Sequence, residues 1–232
     1  MVYFIKNFII FYFAFVFVFP SLAKDKKNSF QTLKDSSGNL YEIGFIQVNS
    51  KNQDPYVRKI SPSGKELWKL IYENTPVDGR ATMITLDENQ KPYVVFTVDG
   101  GSKENGSIQK KELDSPNAFT GVFQNSYGIG GGPKVPVIAR LNPNNGKIEK
   151  GTFLIARKSN GKTNGLSITK LDLKNGKVIF EVSSTAWPPG EGSSYIKFPN
   201  ITDAYRVDGF FKIYYEMDSE LSKIEKAILL NK

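Results

Sequence analysis

Asp54-Pro55-Tyr56-Val57-Arg58-Lys59-Ile60-Ser61-Pro62-Ser63-Gly64-Lys65-Glu66-Leu67-Trp68 reads as a strand, a tight turn and a second strand. Apolar and polar side chains alternate on both sides of the turn, the period of a half-buried β-strand. Pro62 presets φ, and Gly64 accepts the positive φ that a tight hairpin needs. The same grammar runs through most of the chain. Leu40–Ile46, Glu66–Ile71, Ala81–Leu86, Pro92–Val98, Val135–Leu141 and Gly151–Arg157 are further strand candidates. So are Leu166–Leu171, Lys177–Val182 and Phe210–Glu216. Val, Ile, Tyr and Phe dominate these runs because they pack well on a pleated surface. Asn142-Pro143-Asn144-Asn145-Gly146 and Lys174-Asn175-Gly176 supply turns between them. The Leu221–Leu230 stretch is open between a last strand and a short helix, since Ser222 and Glu225 have capping-box spacing.

The pattern also repeats. With the Ala81–Leu86 and Tyr93–Val98 strands, the quoted segment makes four strands in about 45 residues, the size of one propeller blade. Val137–Ile148 opens a second copy, which continues through Gly151–Arg157, Ser167–Leu171 and Lys177–Val182. Asp35-Ser36-Ser37-Gly38-Asn39-Leu40-Tyr41-Glu42-Ile43-Gly44 reads as the closing half of an earlier unit, which the strands of Tyr205–Glu216 would complete. Here the chain resembles the bacterial β-propeller repeats of the SBBP type. In that family a blade runs acidic residue, aromatic, apolar, Lys-Leu-x-Pro-x-Gly, and later Asp-x-x-Gly-Asn-x-Tyr. Asp54–Gly64 and Asp35–Gly44 match the two halves. Leu141–Gly146 matches the first with one inserted residue, and Asp87–Tyr93 keeps the Asp and Tyr without the Gly-Asn. The resemblance covers about half of the chain beyond residue 23, and it implies binding or scaffolding more than catalysis. The expectation is an all-β, small β-propeller-like array of antiparallel four-stranded sheets. A β-sandwich or barrel with the same turn pattern is the alternative.

Met1–Ala23 reads as a secretory signal peptide: Lys6 gives a positive start, Phe8–Phe19 an apolar run, and Ser21 and Ala23 the small residues of a cleavage site. An uncleaved anchor is the other reading. Residues 24–232 are then one all-β domain with an insertion at about 100–134, working in a secreted or periplasmic location. The chain of 232 residues contains no Cys and no His. That excludes disulfides, lipobox anchoring, Ser-His-Asp and Cys-His triads, and His/Cys zinc or haem sites. No cofactor or metal is expected. Net charge is +8, but the lysines are scattered over turns and read as solvated, so a nucleic-acid partner is not expected.

Few segments carry a chemical signature. Gly128-Ile129-Gly130-Gly131-Gly132-Pro133 lacks the Gly-Lys-Ser/Thr and the helix of a phosphate loop. Ser159-Asn160-Gly161-Lys162 has Ser-x-x-Lys spacing but reads as a hairpin turn. Asp35–Asn39 alternates oxygen ligands without an EF-hand's acid pattern, and reads as a plain turn. The pairs Asp99/Glu104 and Asp203/Asp208 are the carboxylates to weigh for glycoside hydrolysis, which needs two acids across the bond. The binding candidate is Ala186–Tyr195. Pro188 and Pro189 cannot join a sheet, so Trp187 sits at a loop mouth with Glu191 and Tyr195 close in sequence. The indole either stacks on a sugar or partner side chain or tucks beneath its own loop. The functional expectation is a non-catalytic protein that binds or scaffolds an envelope or extracellular protein or glycan. The alternative is a carboxylate-dependent extracellular polysaccharide hydrolase.

Overall fold

The structure, a computed structural model, describes residues 26–50, 52–72, 79–98, 117–127 and 135–230. Met1–Ala23, read above as a signal peptide, the glycine run and the Asp99/Glu104 pair lie outside these residues. The described chain is all-β apart from one 3₁₀ turn at Asp203–Tyr205, and its strands form three four-stranded antiparallel sheets and a two-stranded hairpin. The first sheet is β1 (Lys26–Lys34), β2 (Leu40–Gln47), β3 (Gln53–Ile60) and β4 (Glu66–Ile71), in that order. The second is β5 (Arg80–Leu86), β6 (Pro92–Val98), β7 (Val135–Leu141) and β8 (Ile148–Phe153). The short hairpin pairs β9 (Ala156–Arg157) with β10 (Thr163–Asn164). The third sheet is β11 (Ser167–Lys174), β12 (Lys177–Ser184), β13 (Phe211–Asp218) and β14 (Ile224–Leu229). Leu221–Leu230 is thus resolved as a strand preceded by a turn.

The sheets are blade-like, as the turn repeat predicts, but their frame is shifted by half a unit. The quoted β3–β4 hairpin closes the first sheet instead of opening one, and Asp35–Gly44 is its β1–β2 turn and strand. Tyr205–Glu216 does not complete that unit either: its strand, β13, pairs with β12 and β14. Connection length explains the difference. Five-residue links join successive strands within the first sheet, whereas eight residues, 72–79, separate β4 from β5. Gly151–Arg157 also divides into β8 and β9, with Leu154 and Ile155 turned into the core between them.

Two apolar cores hold the three sheets together. Tyr41, Ile43 and Val57 of the first sheet meet Phe96, Val137 and Leu141 of the second. On its other face the second sheet presents Tyr93, Val95 and Ile138 to Phe180, Ile213 and Tyr215 of the third. Burial on both faces is why β6 (Pro-Tyr-Val-Val-Phe-Thr-Val) and β7 (Val-Pro-Val-Ile-Ala-Arg-Leu) are nearly continuous apolar runs. The third sheet alternates strictly along β12, because its outer face is solvated. There Lys177, Lys226 and Tyr214 surround Glu216.

Antiparallel order places the connections at two ends. The turns β1–β2, β3–β4, β5–β6, β7–β8, β11–β12 and β13–β14 share one end, and most are short. In these turns a side-chain oxygen of the first residue caps the following amides: Asp35 accepts from Ser37 and Asn39, and Asp87 from Asn89 and Lys91. Gln90 takes φ +61° where Gly64 takes +84° in the equivalent turn, which is how the Asp87 turn forms without its glycine. The opposite end carries the long excursions: the connection between β6 and β7, of which residues 117–127 are described, the β9–β10 hairpin, and residues 185–210 between β12 and β13. Within the first of these, residues 117–127 are anchored on β8. Ala118 O accepts from Gly151 N at 3.1 Å, and Gln124 N donates to Thr152 Oγ1 at 2.9 Å.

Candidate functional site

Arg157, Trp187, Tyr195 and Lys197 come together at the end that carries the long excursions. Strand β9 positions the first. Arg157 N donates to Trp187 O at 2.9 Å, and Trp187 N returns a bond to Arg157 O at 2.8 Å. With Thr163 of β10 on its other side, β9 is paired along both edges. The Pro188-Pro189 pair then leaves the ladder and the loop doubles back. Gly190 N donates to Ile196 O and Phe198 N to Pro188 O, bringing Lys197 beside Trp187 and Tyr195 beside Arg157. The Tyr195 hydroxyl donates to Trp187 O at 3.0 Å.

The aromatic rings carry cations. Lys197 Nζ lies 3.7 Å from the centroid of the Trp187 ring, and the Arg157 guanidinium 4.4 Å from that of Tyr195. Such placements are worth about 0.5–2 kcal/mol, depending on desolvation. The Trp187 ring also packs against Phe211 at 5.2 Å, beside the buried aromatics of the third sheet. Trp187 is therefore half-buried and built over, a base for Lys197 more than an open stacking face. Burial pushes the Tyr195 hydroxyl up to about 12, with the Arg157 charge opposing. Arg206 is committed to structure: it pairs with Asp203 at 2.7 Å and donates to Thr185 O and Gly209 O. No carboxylate among the described residues pairs with Arg157, Lys158 or Lys197.

Three neighbouring concavities share these residues. One of about 460 Å³ lies between Val122–Ser126 of the first excursion and Ser193–Tyr195 of the second, with Arg157 on its wall. A second, of about 400 Å³, is lined by Arg157, Lys158, Ser159, Trp187, Tyr195 and Lys197. The third, of about 440 Å³, continues past Lys158 and Trp187 to Asn164 and Arg206. Glu191 faces elsewhere: its Oε1 accepts from Ala227 N of β14 at 3.2 Å, and Gly192 pairs with Ile224. Of the three residues grouped by sequence, the fold brings Trp187 and Tyr195 together and assigns Glu191 to the β14 edge. Sequence reading passed over Arg157, Lys158 and Lys197 as ordinary turn cations. The signal available was their position around the Asn160-Gly161 turn and the doubled-back proline loop.

The carboxylates are dispersed. Asp203 is exposed and tied to Arg206, while Asp208 holds φ +53° in an exposed turn. Asp87 and Glu88 line a cavity of about 250 Å³ at the opposite, short-turn end, beside Tyr93 and Arg140. Among the described residues no group of three or more His, Cys, Asp or Glu is placed to hold a metal ion. Nor is any described helix long and apolar enough to cross a membrane.

No family model matches the chain, and no curated protein matches it. Solved structures do. A thermostable family-43 glycoside hydrolase superposes with a TM-score of 0.45 at 10% identity, over 84% of this chain and 52% of that one. The endo-arabinase of Bacteroides thetaiotaomicron VPI-5482 superposes with a TM-score of 0.42 at 12% identity, over 87% and 61%. The chain spans between half and two thirds of the length of these proteins. What stands firm on its own strands is the architecture: an all-β, β-propeller-like array of antiparallel four-stranded sheets.

Proposed function

We propose that the protein is a secreted or periplasmic, non-catalytic module that binds an envelope or extracellular glycan chain in the groove between the two long excursions. One observation carries the reading. Three concavities run in series, Arg157 and Tyr195 lining both the first and the second and Lys158 and Trp187 both the second and the third, forming an extended trough and not a closed pocket. The trough offers Ser159, Ser193, Ser194 and Asn164 as neutral partners for hydroxyl groups. Among the described residues, none of its three concavities is lined by two carboxylates, which hydrolysis by paired acids requires. Export rests on Met1–Ala23, read as a signal peptide, and the resemblance to SBBP-type repeats on the Asp35 and Asp54 segments. The test is affinity electrophoresis of the protein through gels containing envelope and extracellular polysaccharides, with reducing ends assayed in parallel. Retardation without new reducing ends is the expected result.

The second reading is a carboxylate-dependent polysaccharide hydrolase, the class of activity named for the two solved structures. Within this chain it is favoured by the 250 Å³ cavity that holds Asp87 and Glu88 beside Arg140. Asp87 Oδ1 already caps its turn through Asn89 N and Lys91 N, leaving Glu88 as the freer acid. New reducing ends that vanish in both Asp87→Asn and Glu88→Gln would establish this reading over the first.

A further inference from the structure

Resting on the glycan-binding reading, we infer that the ligand of the trough is an acidic polysaccharide, one bearing a carboxylate on its sugar units. Charge is the first argument. Arg157, Lys158 and Lys197 are exposed along the trough and pair with no carboxylate among the described residues. Other exposed lysines such as Lys65, Lys147 and Lys174 also pair with none, but they lie at separate short turns of the opposite end, whereas these three cations line one groove. Fixed like charges crowded into a groove repel one another, and a bound anion relieves that repulsion. The rings of Trp187 and Tyr195 hold two of these cations in place, so little side-chain freedom is lost when an anion arrives.

The neighbouring groups narrow the class of polyanion. A single-stranded nucleic acid is held by bases stacked on open aromatic faces. Here cations stand over the two rings of the trough. An acidic peptide adds affinity by pairing its backbone with a free strand edge. Strand β9, which crosses the trough, is paired on one side by β10 and on the other by Trp187. A sugar acid needs neither feature. Its carboxylate meets Arg157 or Lys197, and its hydroxyls meet the serine and asparagine side chains.

Polygalacturonate, alginate and hyaluronate would be titrated against the full-length protein, together with the same polymers after reduction of their carboxyls to alcohols, and with poly-glutamate. Binding to at least one acidic polymer is expected, falling at least tenfold on carboxyl reduction and weakening steeply at about 1 M salt, where the Debye length is ~3 Å. Arg157→Gln and Lys197→Gln should each lower affinity about tenfold, which corresponds to ~1.4 kcal/mol, with melting temperature falling by no more than about 4 °C, the worth of the lost cation–ring contact at an exposed site. Equal affinity for native and reduced polymers would overturn the acidic assignment and leave glycan binding intact. No binding to any sugar polymer would overturn both. Poly-glutamate binding as tight as the best glycan would overturn the carbohydrate assignment, and full affinity in both variants would remove the ligand from this trough.

Discussion

Lys197 Nζ stands 3.7 Å from the centre of the Trp187 ring, and the same ring leans on Phe211 of β13. One indole thus joins a surface cation to the core of the third sheet. Trp187→Ala should act mainly on stability, costing about 2–3 kcal/mol through lost packing. At this chain length that lowers the melting temperature by roughly 5–10 °C. Lys197→Gln should lower it by no more than about 4 °C, the worth of one cation–ring contact at an exposed site. Calorimetry on the two variants separates the roles, and an unaltered melting temperature in Trp187→Ala would remove the indole from the core.

Gly146 lies beneath the indole of Trp68. A Cβ at this position would sit 2.6 Å from the nearest ring atom, and the backbone holds φ +75°. The Trp68 Nε1–H donates to Pro143 O at 3.1 Å, so the contact ties β4 of the first sheet to the β7–β8 turn of the second. Gly146→Ala combines left-handed strain with a steric clash and should destabilise by about 2–4 kcal/mol. Urea unfolding would measure it; a loss below about 0.5 kcal/mol, the range of an ordinary surface change, would show that the two sheets are not clasped here.

Asp35 is buried beside Lys59, with Oδ2 at 3.0 Å from Nζ. Burial acts to raise its carboxyl, but hydrogen bonds from Asn39 and Lys59 outweigh it and hold the group below its ordinary 3.8. A carboxyl depressed in the folded state contributes stability above its unfolded pKa, and loses it as pH falls through the folded one. Asp35 stabilisation should therefore be complete near neutral pH and fade below about pH 4. Asp35→Asn should be less stable than the parent at pH 7, with the gap narrowing at pH 3. A gap independent of pH would exclude the ionised carboxylate as its source.

Glu191 and Gly192 cover part of the outer edge of β14, where Ile228 and Leu230 are exposed. An uncovered apolar edge invites strand addition by another molecule. Glu191→Ala should promote self-association without changing glycan affinity, as sedimentation velocity at rising concentration would show. A monomer at every concentration would remove the edge-guarding role.

Most of the architecture was legible because strand alternation and hairpin turns are local signals. The limits of β4, β6 and β7 follow directly from the residues, and so does the Asn-Gly turn after Ser159. The sheet frame was not. A turn motif marks a hairpin without stating which two hairpins share a sheet, and Asp35 and Ser61 turn out to open and close the same one. Strand β1 escaped notice because Lys26–Lys34 is polar along much of its length. At the site, Trp187 and Tyr195 announced themselves by residue type. Arg157 and Lys197 did not, because what distinguishes them is their convergence over the Tyr195 and Trp187 rings in one groove, a property of the folded surface.

The meander of each sheet has a consequence for the order in which the molecule assembles. The first sheet pairs every strand with its immediate successor across short links, so it needs little chain to have emerged before it forms. The pairings β6–β7 and β12–β13 must instead close over residues 99–134 and 185–210. Each doubling of such a loop adds only ~0.6 kcal/mol of closure entropy, a delay more than an obstacle. Both walls of the trough belong to those late closures. A chain halted partway holds the first sheet but no groove, so ligand binding would serve as a direct readout of chains that have finished folding.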